Sequence, residues 1–199
     1  MGQLILLRHG ETEWSASGRH TGRTDIPLTA VGEAAATELA PALARRQIRA
    51  SFTSPALRAL RTAELAGLAD AKPEPDLWEW DYGGCEGRTT AQIRMEWPGW
   101  YLWRDGVLPG DAEHPGETLG QVGLRADAML ARVEPLLAEG DVALIAHGHV
   151  LRVLTARWLR LEPDAGRLFR LDTGTFSTLG NEHGHPVILT WNVPPHPSR

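Results

Sequence analysis

Leu4-Ile5-Leu6-Leu7-Arg8-His9-Gly10-Glu11-Thr12 is the stretch of sequence that decides the fold. Its first four residues form a short, continuous apolar run, which is typical of a strand buried on both faces. A second run of this kind, Val142–Ala146, is followed by His147-Gly148-His149. Because ligands bind outside the carboxyl ends of parallel strands, both histidine clusters lie where a site is expected.

Helical patterns separate these two strands. They run from Thr29 to about Arg46, over about 55 to 67, and from Thr118 to about Ala138. Capping boxes mark the start of the last helix, at Thr118 with Gln121, and of a further short helix, at Thr89 with Gln92. In the tail, three more strands are predicted at Leu168–Leu171, Thr175–Leu179 and Val187–Trp191.

Strands that alternate with helices predict an α/β fold: a three-layer α/β/α sandwich around a mostly parallel central sheet. The 199 residues contain no repeat and no linker-like tract. We therefore expect one domain over residues 1–199, in which about 80–120 form a cap-like substrate segment. Three tryptophans of that segment, Trp97, Trp100 and Trp103, could form a lid, an interface or part of the core.

Composition excludes several classes of protein. With 42% hydrophobic and 23% charged residues the chain is globular, and its net charge of −5 argues against a general nucleic-acid partner. One cysteine, Cys85, cannot form an internal disulfide. The apolar run at the N-terminus is too short for a signal peptide, and no run approaches the ~18 residues of a membrane span. We expect a cytoplasmic protein with no membrane partner.

Arg8 and His9 combine an anion-binding group with a nucleophile at the end of the first strand. A guanidinium can hold a tetrahedral oxyanion, and Gly10 allows the backbone to approach closely. Imidazole is mostly neutral at pH 7, so it needs no deprotonation before it attacks. The alternative is a surface turn with an incidental histidine.

Ser54-Pro55 predicts the start of a helix, with Arg58 one turn further on. Two arginines from separate segments can clamp the three oxygens of a phosphoryl group. We expect Arg8, Arg58, Arg152 and also Arg61 to converge where the strands end. The alternative is a solvated helix face.

Glu79 lies between Trp78 and Trp80, where desolvation would raise the pKa of a carboxyl group. Such a group can protonate a leaving-group oxygen. Asp81 is the second candidate for this role. An aromatic core strand with an edge carboxylate is the alternative.

His147 ends the second buried strand, and a second imidazole there could donate to phosphoryl oxygens in the transition state. The rival chemistry is a divalent metal site assembled from histidines with acidic neighbours. Its candidate ligands match no zinc motif in their spacing: His9, His147, His149, His183 and His185. We expect no metal.

Taken in order, four motifs resemble the histidine phosphatase superfamily, whose fold is phosphoglycerate-mutase-like. They are R-H-G-E-T, S-P-x-x-R-A-x-x-T-A, L-x-E-x-D-x-G-x-x-E-G and A-H-G-H-x-x-R. Within the family the chain looks most like the sedoheptulose-1,7-bisphosphatase branch and its actinobacterial acid-phosphatase relatives. The resemblance covers nearly the whole chain and implies an enzyme that needs no metal or other cofactor.

Catalytic roles follow from the resemblance, position by position. His9 is implied to be the nucleophile that forms a phosphohistidine, while Arg8, Arg58 and His147 complete the phosphate pocket. Glu79 is implied to protonate the leaving oxygen and then to take a proton from water. The positions implied to contact the substrate are Ser15, His20, Thr21, Gly22, Trp80, Tyr82, Arg152 and, through a backbone amide, Gly174.

Two departures from the branch lie close to the expected substrate mouth: Trp78 stands where Arg is usual, and Cys85 where Tyr is usual. Losing an arginine would weaken recognition of a second phosphate. The implied function is hydrolysis of a small phosphorylated metabolite, either a sugar phosphate or bisphosphate or a broader set of esters.

Two other functions stay open at this point. A mutase would use the same phosphohistidine, but the chain has no feature resembling the long closing tail typical of mutases. A catalytically inactive module that binds phosphorylated ligands would usually lack one of the two histidines or the acid, and all three are present. The oligomeric state is open too, with a homodimer as one expectation.

Overall fold

The computed structural model describes residues 2–195, so the outermost ends of the expected domain, Met1 and 196–199, lie outside the described residues. Strand β1 (Leu4–Arg8) is buried on both faces, as its apolar run predicts. It pairs in parallel with β4 (Asp141–Ala146) on one side and antiparallel with β5 (Phe176–Glu182) on the other. The two apolar runs, Leu4–Leu7 and Val142–Ala146, are therefore neighbours at the centre of the sheet.

Six strands form the sheet in the order β3-β2-β4-β1-β5-β6. The other three are β2 (Ile48–Thr53), β3 (Lys72–Pro73) and β6 (His185–Val193). The strands β1 to β4 run parallel, and β5 with β6 adds an antiparallel hairpin at one edge. The predicted mostly parallel α/β fold is confirmed.

Helices cover both faces of the sheet. On one face, α2 (Ala30–Leu43) and α3 (Leu57–Leu65) pack with Ile5 and Leu7; on the other, α6 (Leu119–Val133) and α7 (Gly148–Trp158) pack with Leu4 and Leu6. Successive residues of a strand point to opposite faces, so one short run supplies both cores. Three short helices complete the fold: α1 (Glu13–Ala16), α4 (Thr90–Glu96) and α5 (Leu102–Asp105).

Two sequence predictions about secondary structure need correction. The strand expected at Leu168–Leu171 is absent, since a 3₁₀ helix covers Pro163–Leu168 and Leu168 is 68% exposed. The helix expected to reach Ala138 ends at Val133 and tightens into a 3₁₀ helix over Glu134–Ala138. Pro135 explains this change because proline cannot donate the next helical hydrogen bond.

The segment between Trp78 and Thr118 contains only the short helices α4 and α5. Of the three tryptophans at positions 97, 100 and 103, Trp100 and Trp103 are buried, whereas Trp97 is half exposed. Residues 97–103 are called the tryptophan segment below. Within residues 2–195, no helix combines the length and the apolar composition needed to cross a membrane.

Candidate active site

A cavity of about 310 Å³ opens beyond the carboxyl ends of β1 and β4. Strand β1 delivers Arg8 and His9 to it, and the start of α7 delivers Gly148 and His149. Its lining also includes Ser15, Gly18, Arg19, His20, Thr21, Glu79, Tyr82, Thr90, Trp100, Tyr101, Leu102, Trp103, Arg152 and Leu171. The sequence therefore places this site correctly at the strand ends.

His9 is fixed in one tautomer by its own backbone. Its Nδ1 lies 2.7 Å from the Gly10 carbonyl oxygen, which can only accept, so Nδ1 carries the proton and Nε2 keeps its lone pair. The backbone of His9 donates to Ala146 O and accepts from Gly174 N. Burial, reinforced by Arg58 and then Arg8, holds the imidazole pKa well below its ordinary value. His9 is therefore a neutral imidazole with a free lone pair on Nε2, held at the cavity.

Gly10 is required by the packing of α2 against this loop. A Cβ at Gly10 would lie 2.3 Å from the carbonyl oxygen of Gly32, which is closer than atoms can approach. The Gly10 amide donates to Thr62 Oγ1 on α3. Helices α2 and α3 therefore both hold the loop that carries His9.

The buried guanidinium of Arg8 lies beside His9. One of its terminal nitrogens donates to the Leu171 carbonyl, while its Nε has no hydrogen-bond partner within residues 2–195. Burial lowers the Arg8 pKa, and Glu79 opposes that shift. An unpaired buried N–H on a cation is well suited to bind an anion that enters the cavity.

Arg58 and His147 form a completely buried pair next to His9. Arg58 Nε donates to His147 Nδ1 at 3.2 Å, so the proton of this imidazole is on Nε2, which donates to Ser54 Oγ at 2.7 Å. The His9 and His147 ring centroids are 5.1 Å apart. Burial and then Arg58 hold the pKa of His147 well below its ordinary value. We call Arg8, His9, Arg58 and His147 the strand-end cluster.

Ser54 is a site residue that sequence reasoning missed. It was interpreted only as the start of a helix, yet its hydroxyl is buried against His147. The remaining N–H groups of Arg58 donate to the carbonyls of Thr21, Gly22 and Thr24. Neither Arg58 nor His147 lines the cavity in this structure.

Glu79 presents a buried carboxylate to the cavity. Oε1 accepts the backbone N–H groups of Trp80 and Val150, each at 2.9 Å, and Oε2 accepts that of His149 at 3.0 Å. Two of these donors belong to the first turn of α7, where helix amides favour an anion. Asp81 is buried as well, but it accepts from Gly83 N and does not line the cavity. The geometry favours Glu79 over Asp81.

His149 and Tyr82 form a second pair at the cavity, whereas the sequence analysis considered His149 only as a candidate metal ligand. The Tyr82 hydroxyl lies 2.6 Å from His149 Nδ1, which is 3.9 Å from Glu79 Oε2. Burial raises the Tyr82 pKa well above its ordinary value. Burial and then Arg152 hold the His149 pKa well below its own. The repeated histidine of A-H-G-H was the available sequence signal.

Five of the eight expected substrate residues line the cavity: Ser15, His20, Thr21, Tyr82 and Arg152. The His20 ring lies 5.0 Å from that of Tyr82 and 5.5 Å from that of Trp100. Arg152 stacks 4.7 Å above the Trp103 ring and donates to Gly166 O.

The other three expected substrate residues lie outside the lining and make protein contacts instead. Gly22 N donates to Glu86, Trp80 Nε1 donates to Glu117 O at 2.8 Å, and Gly174 N donates to His9 O at 3.0 Å. The Gly174 amide, expected at the substrate, therefore holds the backbone of His9 in this structure.

Arg61 does not join the strand-end cluster, and that expectation is wrong. It pairs at 2.8 Å with Glu33 and with Glu64 on the surface, because its side chain leaves α3 on the solvated face. Trp78 and Cys85, the two departures from the branch, also lie outside the cavity lining. Arg23 stacks on the Trp78 ring at 5.1 Å, and Cys85 is fully buried.

The five histidines considered as metal ligands do not all come together at one site. His183 and His185 lie at the turn between β5 and β6, beyond the opposite end of the sheet from His9. Within the part of the chain that the structure describes, no group of three or more His, Cys, Asp or Glu side chains is arranged to hold a metal ion.

Comparisons with known proteins agree with this geometry. The model of the histidine phosphatase superfamily (branch 1) matches residues 4–194, and the chain belongs to that family. An acid phosphatase of Mycobacterium tuberculosis (strain ATCC 25618 / H37Rv) is 38% identical over 197 residues, covering 98% of this chain and 94% of the relative. The predicted family and branch are confirmed.

Two further relatives support the same assignment. The sedoheptulose 1,7-bisphosphatase of Saccharomyces cerevisiae (strain ATCC 204508 / S288c) is 38% identical over 191 residues, covering 80% of this chain and 68% of the relative. A solved structure of an open reading frame from Mycobacterium tuberculosis superposes with a TM-score of 0.91 at 37% identity, covering 98% of this chain and 99% of that one.

Proposed function

We propose that this histidine phosphatase hydrolyses the monoester of a small phosphorylated metabolite through a phosphohistidine at His9. The observation that carries the proposal is the state of His9: its Nε2 keeps a lone pair beside Arg8, and burial keeps the ring neutral. A neutral nitrogen nucleophile next to guanidinium groups is what phosphoryl transfer needs.

In the first half-reaction, His9 Nε2 attacks phosphorus and the bond from phosphorus to the leaving oxygen breaks. Arg8 stabilises the charge on the equatorial oxygens, most strongly as it builds up in the transition state. Arg58 and His147, whose N–H groups bond to protein atoms in this structure, join it by exchanging those partners for phosphoryl oxygens. Glu79, in its protonated form, gives its proton to the departing alcohol.

In the second half-reaction, the Glu79 carboxylate takes a proton from water. The water oxygen bonds to phosphorus, the nitrogen–phosphorus bond breaks, and inorganic phosphate leaves. Glu79 is protonated again and His9 has regained its lone pair, so the cycle closes without a metal or another cofactor.

The substrate class follows from the size and lining of the cavity. At about 310 Å³ it is at the small end of ligand pockets, which fits a metabolite rather than a polymer. Arg19 and Arg152 line it beside the aromatic residues of the tryptophan segment, and they suit a substrate with further polar or anionic groups. Sugar phosphates and bisphosphates are such substrates, and the name of the yeast relative supports them. A cytoplasmic location and a homodimer stay predictions.

The test is turnover of p-nitrophenyl phosphate between about pH 5 and 7 with EDTA present. We expect the wild type to be active and His9→Ala to lose at least about 10⁴-fold in kcat/KM, as when a nucleophile is removed. His185→Ala, which removes an exposed imidazole at the β5–β6 turn, is the matched control and should be unchanged. Full activity in His9→Ala would overturn the nucleophile, and loss of wild-type activity on chelation would overturn metal independence.

A mutase would be detected in the same assay by adding a second hydroxyl compound such as glycerol. We expect inorganic phosphate to be the main product. Transfer to the added hydroxyl in excess of hydrolysis would favour the mutase, and no turnover of any ester despite specific binding would favour an inactive ligand-binding module.

A further inference from the structure

A buried ion pair behind the cavity holds the loop that carries Glu79. Arg125 on α6 donates through Nε to Glu117 Oε1 at 2.8 Å and through a terminal nitrogen to Glu117 Oε2 at 2.9 Å. The two side chains are only 16% and 14% exposed. This two-point geometry fixes both side chains in direction as well as in distance. We call the pair the Arg125–Glu117 clamp.

The guanidinium end of the clamp is attached to the loop through backbone carbonyls. The other terminal nitrogen of Arg125 donates to Asp76 O at 2.7 Å and to Trp78 O at 2.9 Å. After the 3₁₀ helix Pro75–Leu77 the chain has no regular structure whose N–H groups could donate to these carbonyls. Since buried carbonyls need donors, one arginine supplies what a helix or sheet would otherwise provide.

The carboxylate end of the clamp holds the other side of Glu79. Asp81 N donates to Glu117 Oε2 at 2.9 Å, and the backbones of Glu117 and Asp81 are joined by a further bond of 3.0 Å. Trp80 Nε1 donates to Glu117 O at 2.8 Å. The residues on both sides of Glu79 in the sequence are therefore tied to the same ion pair.

The side chain of Glu79 is held separately, by the first amides of α7. Its backbone position thus depends on α6 and its carboxylate direction on α7. These two helices pack on the same face of the sheet. A general acid must lie within hydrogen-bond reach of the leaving oxygen, and a displacement of about 1 Å can cost roughly 10²-fold in rate.

We propose that Arg125 and Glu117 are positioning residues for the general acid of this enzyme. They do not touch the substrate; they set the backbone of residues 78–81 so that the Glu79 carboxylate reaches the leaving oxygen. This inference rests on the proposed role of Glu79. Loss of the clamp should therefore weaken protonation of the leaving group and leave attack by His9 nearly intact.

The test compares kcat/KM for an alkyl phosphate with kcat/KM for p-nitrophenyl phosphate, whose leaving group needs little protonation. This parameter reports only the steps up to formation of the phosphohistidine, so water attack does not enter it. We expect Arg125→Met to lose about 10- to 100-fold more on the alkyl ester than on the aryl ester. Arg125→Lys should recover part of the difference, since an ammonium can donate to one carbonyl but not in two-point geometry.

The matched control is Arg157→Met. Arg157 on α7 also pairs with a carboxylate of α6, at 2.8 Å and 3.1 Å from Asp127, and also donates to a backbone carbonyl, that of Leu161. It has no contact with the Glu79 loop in the described structure. Its removal should leave the ratio of alkyl to aryl activity unchanged, even where stability falls by a similar amount.

A double variant separates positioning from general damage. If Arg125 acts through Glu79, then Arg125→Met combined with Glu79→Gln should show the same alkyl-to-aryl ratio as Glu79→Gln alone. Equal loss on both esters in a folded Arg125→Met protein, or a further change of the ratio in the double variant, would overturn the inference. If Arg125→Met fails to fold, Glu117→Gln should show the same selective loss on the alkyl ester, and Arg125→Lys a smaller one. Equal loss on both esters in these variants would overturn the inference in the same way.

The outcomes also distinguish this inference from the proposed function. If the wild type hydrolysed neither ester, the proposed function itself would be wrong. If the wild type hydrolysed both esters and Glu79→Gln left the ratio of alkyl to aryl activity unchanged, Glu79 would not be the general acid. If Glu79→Gln loses more activity on the alkyl ester than on the aryl ester but Arg125→Met loses equally on both, the proposed function would hold. Only the positioning role of the Arg125–Glu117 clamp would then be wrong.

Discussion

The strand-end cluster and the tryptophan segment border one site but are held by different kinds of structure. His9 and His147 follow the last residues of two paired central strands and are buried on all sides. The tryptophan segment runs from the end of α4 into the first turn of α5, and its Tyr101 is 40% exposed. The groups proposed to react are therefore fixed by the sheet, whereas the groups proposed to surround the rest of the substrate are fixed by local contacts of a loop.

After loss of the His9 imidazole, the largest effect is expected at Glu79, which lines the cavity that both regions border. Glu79→Gln keeps the size of the side chain but cannot donate a proton to the leaving oxygen. We expect kcat/KM for alkyl phosphates to fall by about 10²- to 10⁴-fold and that for p-nitrophenyl phosphate to fall far less. Steady-state kinetics on both esters checks this, and equal loss on both would count against Glu79 as the acid.

A smaller effect is expected on the pH dependence of the free energy of unfolding. It tests the difference in burial between the strand-end cluster and the tryptophan segment. The imidazole pKa values of His9, His147 and His149 are held well below 6.5, chiefly by burial. When the pH falls below about 6.5 the unfolded chain binds protons that the folded chain does not, so the free energy of unfolding decreases. Each group adds a slope of at most about 1.4 kcal/mol per pH unit, and this contribution is fully present only above about pH 6.5.

Urea unfolding at about pH 7.5 and about pH 5.5 measures this loss. His147→Gln should be less stable at the higher pH but should lose less on acidification, because one buried imidazole is gone. Tyr101→Ala, in the tryptophan segment, should keep the wild-type pH dependence. An unchanged pH dependence in His147→Gln would contradict the assignment of the depressed pKa to burial in the strand-end cluster.

The smallest effect is expected at the exposed edge of the tryptophan segment. Tyr101 lines the cavity without touching the reacting groups, so Tyr101→Ala should raise KM by about 3- to 10-fold and leave kcat nearly unchanged. Met95→Ala, 78% exposed on α4 and outside the cavity lining, is the control. A fall in kcat with constant KM for Tyr101→Ala would mean that this segment takes part in the chemistry.

The difference between central strands and segments held by distant contacts also explains which elements could be predicted from the sequence. Leu4–Leu7 and Val142–Ala146 are buried on both faces, and such runs indicate a core strand whatever lies elsewhere in the chain. Strand β2 has no comparable run, with Arg49 and Ser51 along it, and its place depends on pairing with β4, so it was not predicted. The absent strand at Leu168–Leu171 shows the converse: apolar residues without partners there form no sheet.

For the site, the sequence indicated the residues proposed to carry the chemistry but not those that hold them in place. His9, Arg58, Glu79 and His147 were selected because each has a chemical reason to occur in its motif. The contacts of Ser54 with His147 and of Arg125 with the Glu79 loop join residues far apart in the chain. No local pattern reports such a contact, so only the folded structure could reveal it.

The most direct measurement of the central claim is chemical identification of the phosphorylated residue. The enzyme is mixed with substrate, quenched by denaturation at alkaline pH and digested, and the phosphopeptides are sequenced by mass spectrometry. We expect one acid-labile, alkali-stable phosphoryl group on His9 in the wild type. The His9→Ala protein should carry no such phosphoryl group. Phosphate on a serine, aspartate or another histidine, or an equally labelled His9→Ala protein, would contradict it.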